Sequence, residues 1–234
     1  MPRNRQRHLP ILRILTHAGA LLPLALIVFD AFTRGLTVNP IQDITFRTGR
    51  ATLRLLVLTL ACTPIYTLFK YPPVLKVRRT LGLYAFFYLS LHLSIFIFDN
   101  ALTFDYRFNP AYLQEAIFEK RYALVGFSAF LVLLPLAITS TKGWQRRLGK
   151  NWKRLHKGVY LAILLGIAHF TWVVKSDVRR PLAWGAVVVI LLALRLPVVK
   201  AFFRKFPPGS RKRGPAARLL AAKDSVKKLP SSSN

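Results

Sequence analysis

Four histidines stand inside or at the edge of long apolar stretches of this 234-residue chain: His17, His92, His156 and His169. An ionisable side chain is costly in hydrocarbon, so each is a candidate functional group, with a structural hydrogen bond as the alternative. A neutral imidazole offers one ring nitrogen to a metal. Two imidazoles on different helices can therefore hold one heme iron from both faces, provided that they lie at the same depth.

Six segments are long and apolar enough, or nearly so, to cross a bilayer as helices. A hydrophobic content of 53% and a mean hydropathy of +0.35 agree with an all-α, polytopic membrane bundle of six transmembrane helices. No internal repeat is evident. We expect a transmembrane domain over 1–206 and a basic, disordered tail over 207–234, which is rich in Pro, Gly, Ser, Lys and Arg. The predicted spans are 10–30, 48–69, 80–98, 121–140, 153–174 and 182–203.

The distribution of charge predicts the orientation of these spans. The net charge is +28, from 36 Lys and Arg against 8 Asp and Glu. Nucleic-acid binding is disfavoured, because the basic residues flank apolar segments instead of forming one stripe. With the N-terminus in the cytoplasm, the basic residues gather at the start, in 70–79, in 141–157 and in the tail. Both termini are therefore predicted to be cytoplasmic, and the basic residues to contact anionic lipid headgroups.

This topology brings two of the histidines to one level. His92 lies about 12 residues into the third span, or about 18 Å from its cytoplasmic end. His169 lies about 16 residues into the fifth span, or roughly 24 Å from the same side. Both spans run outward, so the two imidazoles fall in the outer half of the membrane. The pair is the predicted ligand set of a heme iron, and Gly166, on the same helix face as His169, leaves room for a macrocycle.

The other candidates lie nearer the cytoplasmic side. His156 precedes His169 by 13 residues, about 20 Å along a helix, so the two cannot share one heme. It is predicted to serve an inner site, either as a second heme ligand or as part of a donor site. The third span offers Arg78 and Arg79 at this depth instead of a histidine, and His17 of the first span is a weaker inner candidate.

Other features favour structural roles or exclude whole classes of site. The single cysteine, Cys62, cannot form an internal disulfide or a cysteine-based metal site. Arg195 stands in the last third of the sixth span, where its long side chain is expected to reach the interface. The sequence contains no Gly-rich phosphate loop after a strand, no paired-carboxylate site and no nucleophile triad.

An ordered set of short motifs, over roughly residues 10–200, resembles one known family. It is the MsrQ (YedZ) family, the heme-binding membrane subunits of the periplasmic protein-methionine-sulfoxide reductase system, within the ferric-reductase-like transmembrane group. The matching stretches are Asp43-Ile44, Thr48-Gly49-Arg50, Thr59-Leu60, Thr63-Pro64, Arg78-Arg79-Thr80-Leu81-Gly82-Leu83, Leu91-His92-Leu93, Leu136-Ala137, Thr139-Ser140-Thr141, Leu148-Gly149-Lys150-Asn151-Trp152, Leu155-His156, Val159-Tyr160-Leu161, His169-Phe170-Thr171-Trp172 and Lys175.

The resemblance implies heme b bound by His92, His156 and His169, an association with FMN, and a multi-pass location in the bacterial inner membrane. It implies electrons drawn from the quinol pool or from a cytoplasmic flavin donor. Those electrons would pass to a periplasmic molybdopterin-containing subunit, which reduces methionine sulfoxide in oxidised proteins. This chain would then be an electron-transfer subunit, with substrate reduction in its partner.

Two departures from the wider ferric-reductase group are visible. Larger members carry two histidines on each of two helices, whereas the third span has only His92. They also carry a cytoplasmic FAD and NAD(P)H domain, for which the roughly 30 residues of basic, low-complexity sequence after the sixth span are expected to be too few. Two alternatives stay open at this point: a stand-alone transmembrane ferric or metal reductase, and a heme-free transporter.

Overall fold

The computed structural model describes residues 4–101, 109–174 and 177–197, together with residue 199. All regular secondary structure in these residues is helical, which confirms the predicted all-α class. The helices are α1 (Asn4–Phe32), α2 (Pro40–Phe69), α3 (Pro73–Ala101), α4 (Pro110–Phe118), α5 (Arg121–Ile138), α6 (Lys142–Leu148), α7 (Lys150–Leu155), α8 (Gly158–Val173) and α9 (Arg179–Ala193).

Four helices are long and apolar enough to cross a membrane: α1 from Leu9, α2, α3 to Asn100, and α5. The chain is therefore a membrane protein. The predicted fifth span, 153–174, is interrupted by a turn at His156–Lys157, so that α8 has 16 residues, and α9 has 15. The six spans and the cytoplasmic termini stay predictions, and the tail 207–234 lies outside the described residues.

Local sequence signals set the ends of α2, which lies at the centre of the bundle. The Asn39 side chain accepts a hydrogen bond from the Gln42 N–H, and Pro40 occupies the first turn, where a missing N–H costs nothing. Asp43 complements the helix dipole in that turn. Lys70 ends the helix in the left-handed region, with φ 49°, and its N–H bonds the Tyr66 carbonyl.

Two helix pairs form the core. Helix α2 packs along α3, and α5 packs along α8. Side chains from both pairs, most of them small or aliphatic, pack against one another between the two pairs. This packing buries one apolar face of each helix. The most buried of these residues are Leu60 of α2, Ala85 and Tyr88 of α3, and Ala162 and Ile163 of α8. Many large apolar side chains remain exposed, as a lipid-facing surface requires.

Helix α1 is fastened to α3 by a buried phenol. The Tyr88 hydroxyl donates to the Ala20 carbonyl at 2.7 Å and accepts from the Leu24 N–H at 3.0 Å. The hydroxyl is therefore inserted between a carbonyl and an N–H that would otherwise bond each other within α1, next to Pro23 inside that helix.

The C-terminal end of α1 and the N-terminal end of α2 are joined by ion pairs. Arg47 bonds Asp30 of α1 and Asp43 of its own helix. The carboxylates of α1 and α2 are thereby neutralised at this end of the bundle.

Candidate functional site

His92 of α3 is held against the backbone of α2. Its Nδ1 lies 2.9 Å from the Thr45 carbonyl oxygen, 47 residues earlier in the chain. A carbonyl only accepts hydrogen bonds, so Nδ1 carries the proton. The other nitrogen, Nε2, therefore keeps its lone pair free for a ligand.

His169 of α8 is held in the same way against α5. Its Nδ1 lies 2.7 Å from the Tyr122 carbonyl oxygen, again at a separation of 47 residues. The same reasoning leaves its Nε2 lone pair free. Both side chains are half-buried, and the two ring centroids are 6.0 Å apart with the planes at 85°. We call His92 and His169 the histidine pair.

A glycine lets each ring approach its carbonyl. Gly49 stands four residues after Thr45, and a Cβ there would meet the His92 ring at 3.2–3.3 Å. Gly126 stands four residues after Tyr122, and a Cβ there would lie 2.7 Å from His169 Nδ1, closer than real contacts allow. The absence of a side chain at Gly126 is therefore a condition for the observed position of His169.

The donor set of this pair fits an iron porphyrin. A metal-bound histidine commonly donates its second ring N–H to a backbone carbonyl, which both histidines do. Two imidazoles on opposite sides of one metal, each bound at about 2 Å, have ring centres roughly 6 Å apart, close to the observed separation. No cluster of three or more His, Cys, Asp or Glu occurs in the described residues. Two ligands hold a bare ion poorly, whereas a porphyrin supplies four further nitrogens itself.

His156 is held by a different arrangement, at the end of the bundle where α5 ends. The Thr139 hydroxyl donates its only proton to the Pro135 carbonyl at 2.6 Å and lies 3.2 Å from His156 Nε2. The proton in the second contact therefore belongs to Nε2, and Nδ1 keeps the lone pair. Trp152 stacks on this imidazole at 4.0 Å and bonds the Thr139 carbonyl through Nε1.

Two arginines lie near each other at this end of the bundle. Arg78 of α3 is close enough for electrostatic interaction with both His156 and Arg195. The expected reach of Arg195 to the membrane interface stays a prediction. Its guanidinium bonds the Tyr160 hydroxyl at 2.6 Å and the Leu60 carbonyl, because these acceptors lie within the bundle. We call Arg78, His156, Tyr160 and Arg195 the arginine cluster.

The other sequence-predicted residues lie apart from these two groups. His17 is exposed on α1, and its Nδ1 lies 2.9 Å from the Tyr84 hydroxyl. Arg79 is exposed and has no contact with the arginine cluster in the described part of the chain. A Cβ at Gly166 would meet nothing within 4 Å.

Sequence reasoning missed the two carbonyl acceptors and the two glycines. A signal for the glycines exists: Gly49 precedes His92 by 43 residues, and Gly126 precedes His169 by the same number. The involvement of Tyr160, Arg195 and Thr139 in the second group was also missed. It depends on packing between elements that are distant in the sequence.

The chain resembles known proteins over most of its length. Residues 48–167 match the family model of the ferric reductase like transmembrane component. The protein-methionine-sulfoxide reductase heme-binding subunit MsrQ of Xanthomonas axonopodis pv. citri (strain 306) is 44% identical over 190 residues, 79% of this chain and 85% of that protein. The subunit of the same name from Herminiimonas arsenicoxydans is 39% identical over 191 residues, 80% of this chain and 85% of its own. The chain belongs to the MsrQ family. No solved structure matches it.

The region shared with the ferric reductase like component covers most of both groups. It includes Gly49, His92, Gly126 and His156, and it ends two residues before His169. The similarity to the MsrQ protein of Xanthomonas axonopodis pv. citri is longer and extends over 190 residues.

Proposed function

We propose that this MsrQ-family protein binds heme b between His92 and His169 and transfers electrons through it to a protein-methionine-sulfoxide reductase. The observation that carries the proposal is the matched tethering of the two imidazoles. Each Nδ1–H is bound to a carbonyl, so each Nε2 is available to iron. The heme would supply one-electron redox chemistry, and its iron would alternate between two oxidation states.

The protein's own residues would fix and tune that group. The carbonyls of Thr45 and Tyr122 hold each imidazole in the tautomer that ligates through Nε2 and make the nitrogen a stronger donor. Gly49 and Gly126 allow these positions. Surrounding apolar side chains exclude water, which in general shifts the redox potential of an enclosed metal group.

The direction of transfer follows the proposed topology. Electrons would enter from the quinone pool or a flavin donor on the cytoplasmic side of the inner membrane. They would leave to a periplasmic molybdopterin-containing catalytic subunit, the one that repairs oxidised methionine. FMN, which the resemblance implies, would act on the donor side. Release of flavin from the denatured protein, measured by fluorescence, tests that assignment.

An absorption spectrum of the purified full-length protein tests the heme proposal. We expect reducible b-type bands in the wild type, and near-complete loss of heme in His92→Ala and in His169→Ala, because each removes one of the two imidazoles that would hold the iron. Heme is measured per polypeptide after extraction. The His17→Ala variant is the matched control, since this imidazole lies on another helix, bonded to Tyr84. Wild-type heme content in His169→Ala would exclude the proposed ligand set.

The family-model match favours a second candidate, direct reduction of an external metal complex. The two functions differ in their acceptor. Oxidation of the reduced heme by a purified methionine sulfoxide reductase subunit, but not by ferric chelates, supports the first. The opposite result supports the second.

A further inference from the structure

Two arginines lie in a row of residues, spaced four apart, along one face of α2. The row consists of Phe46, Arg50, Arg54 and Leu58. Phe46, Arg54 and Leu58 are exposed, and Arg50 is half-buried. Exposed apolar side chains on a membrane-spanning helix face lipid, so the two arginines belong to a lipid-facing row. We call Arg50 and Arg54 the α2 arginines.

The position of Arg54 along the helix makes its charge costly. It is the fifteenth of the 30 residues of α2, about 21 Å from the start of the helix and near its midpoint. A guanidinium exposed to hydrocarbon at this depth extends toward the polar interface or draws headgroups inward. Orientation of the span does not account for it, because the basic residues predicted to orient α2 begin at Lys70, at the other end of the helix.

The carboxylates at this end of α2 are already bonded to another arginine. Asp30 and Asp43 both bond Arg47, three residues before Arg50. Arg50 donates from Nε to the Phe46 carbonyl at 3.2 Å. Arg54 makes no hydrogen bond or ion pair with the residues that the structure describes. Both guanidiniums therefore have N–H donors left for an oxygen acceptor.

A third cation comes from a neighbouring helix. Helix α9 packs against α2, and Arg180 in its first turn is close enough to Arg50 for electrostatic interaction. Arg47 and Arg54 also repel Arg50, whereas Asp43 attracts it. Positive charge therefore exceeds negative charge where α2 and α9 meet. An anion bound there would relieve the repulsion between the two helices.

We propose that the α2 arginines and Arg180 bind the phosphate of an anionic phospholipid whose acyl chains lie along Leu58. The proposal does not depend on the heme. A phospholipid fits both features of this face, since its phosphate accepts from guanidiniums and its chains cover the exposed apolar side chains. A zwitterionic lipid is a poorer match, because its own cationic group would add to the excess of positive charge. A free phosphate would leave the apolar part of the face uncovered.

The lipid affinity of the full-length protein in detergent, titrated and measured by native mass spectrometry, tests the proposal. The probe is phosphatidylglycerol, compared with phosphatidylcholine of the same acyl chains. We expect Arg54→Gln to raise the dissociation constant of phosphatidylglycerol about fivefold, and the double variant Arg50→Gln, Arg54→Gln about 25-fold, because each arginine near an anionic lipid contributes about fivefold. The control is Arg34→Gln, which removes the same charge from the exposed connection between α1 and α2.

Arg54→Lys keeps the charge and should keep most of the affinity, which distinguishes loss of binding from loss of the fold. Equal affinity for phosphatidylglycerol in Arg54→Gln and Arg34→Gln would overturn the proposal. So would equal affinity of the wild type for the two lipids. Displacement of the lipid by an equimolar amount of glycerol phosphate would show a site for free phosphate instead. Unchanged lipid affinity in Arg54→Gln, with weaker binding of a purified methionine sulfoxide reductase subunit, would assign this face to a protein.

Discussion

The helix pair α2–α3 and the helix pair α5–α8 are alike at one end and different at the other. At one end of the bundle each pair has a carbonyl, a glycine four residues later, and a histidine 47 residues after the carbonyl. At the other end the helices differ. Arg78, 14 residues before His92, contacts Thr63, whereas His156, 13 residues before His169, contacts Thr139.

The equivalent end and the differing end of the two helix pairs indicate different roles. Two equivalent imidazoles with the same free nitrogen suit one symmetric task, the ligation of one iron from two sides. An arginine on one helix pair and an imidazole of the other tautomer on the other pair break that symmetry. The bundle therefore has one end at which the two helix pairs are equivalent and one end at which they differ.

The largest effect is expected when the space beside one imidazole is filled, because this destroys the equivalence of the two helix pairs. Gly126→Ala would put a Cβ 2.7 Å from His169 Nδ1, so the ring must leave the Tyr122 carbonyl. Loss of this supporting contact is expected to weaken heme retention about tenfold or more. Gly49→Ala should cost less, since the contact with His92 would be 3.2 Å and a small shift can relieve it. Heme per polypeptide after detergent washing measures both.

The control is Gly19→Ala, where a Cβ would meet nothing within 4 Å. It separates loss of space beside a ring from the general effect of adding a methyl group to a helix. Equal heme retention in the variants at Gly126 and Gly19 would show that the position of the His169 ring does not matter.

The sequence predicts the level pairing of His92 and His169, because helix rise converts residue number into depth. The sequence does not predict the hydrogen bonds that hold the two rings, because every residue has a backbone carbonyl and the residue type does not show which one accepts. The tautomer of His156 cannot be predicted from the sequence either. It depends on a contact with Thr139, and the sequence around Thr139 indicates only the end of a helix. The acceptors that hold Arg195, Tyr160 and Leu60, lie on two other helices and are not evident from the sequence.

A second variant tests the contact that distinguishes the end of the bundle around His156. Thr139→Val removes the hydroxyl that holds His156 Nε2–H and leaves the ring free to turn. The free energy of unfolding should fall by about 2 kcal/mol, because the Nε2–H of His156 is left without its partner, and thermal unfolding in detergent measures this. Heme content should stay at the wild-type level, because Thr139 is remote from the histidine pair. Thr59→Val is the control, as its hydroxyl bonds only the Leu55 carbonyl of its own helix.

The smallest expected effect concerns α1, which is bound through Tyr88 to the α2–α3 pair. Tyr88→Phe removes the hydroxyl between the Ala20 carbonyl and the Leu24 N–H. These two groups are the ordinary partners of an α-helix, so they can bond each other once the hydroxyl is gone. The free energy of unfolding should therefore fall by only about 1 kcal/mol. Thermal unfolding in detergent measures this, with Tyr84→Phe, a half-buried phenol that contacts the His17 side chain, as the comparison. Tyr88 lies one turn before His92 on α3. A heme loss in Tyr88→Phe as large as that of His92→Ala would mean that α1 holds the histidine in place, and that the two helix pairs are less alike than their shared tethers indicate.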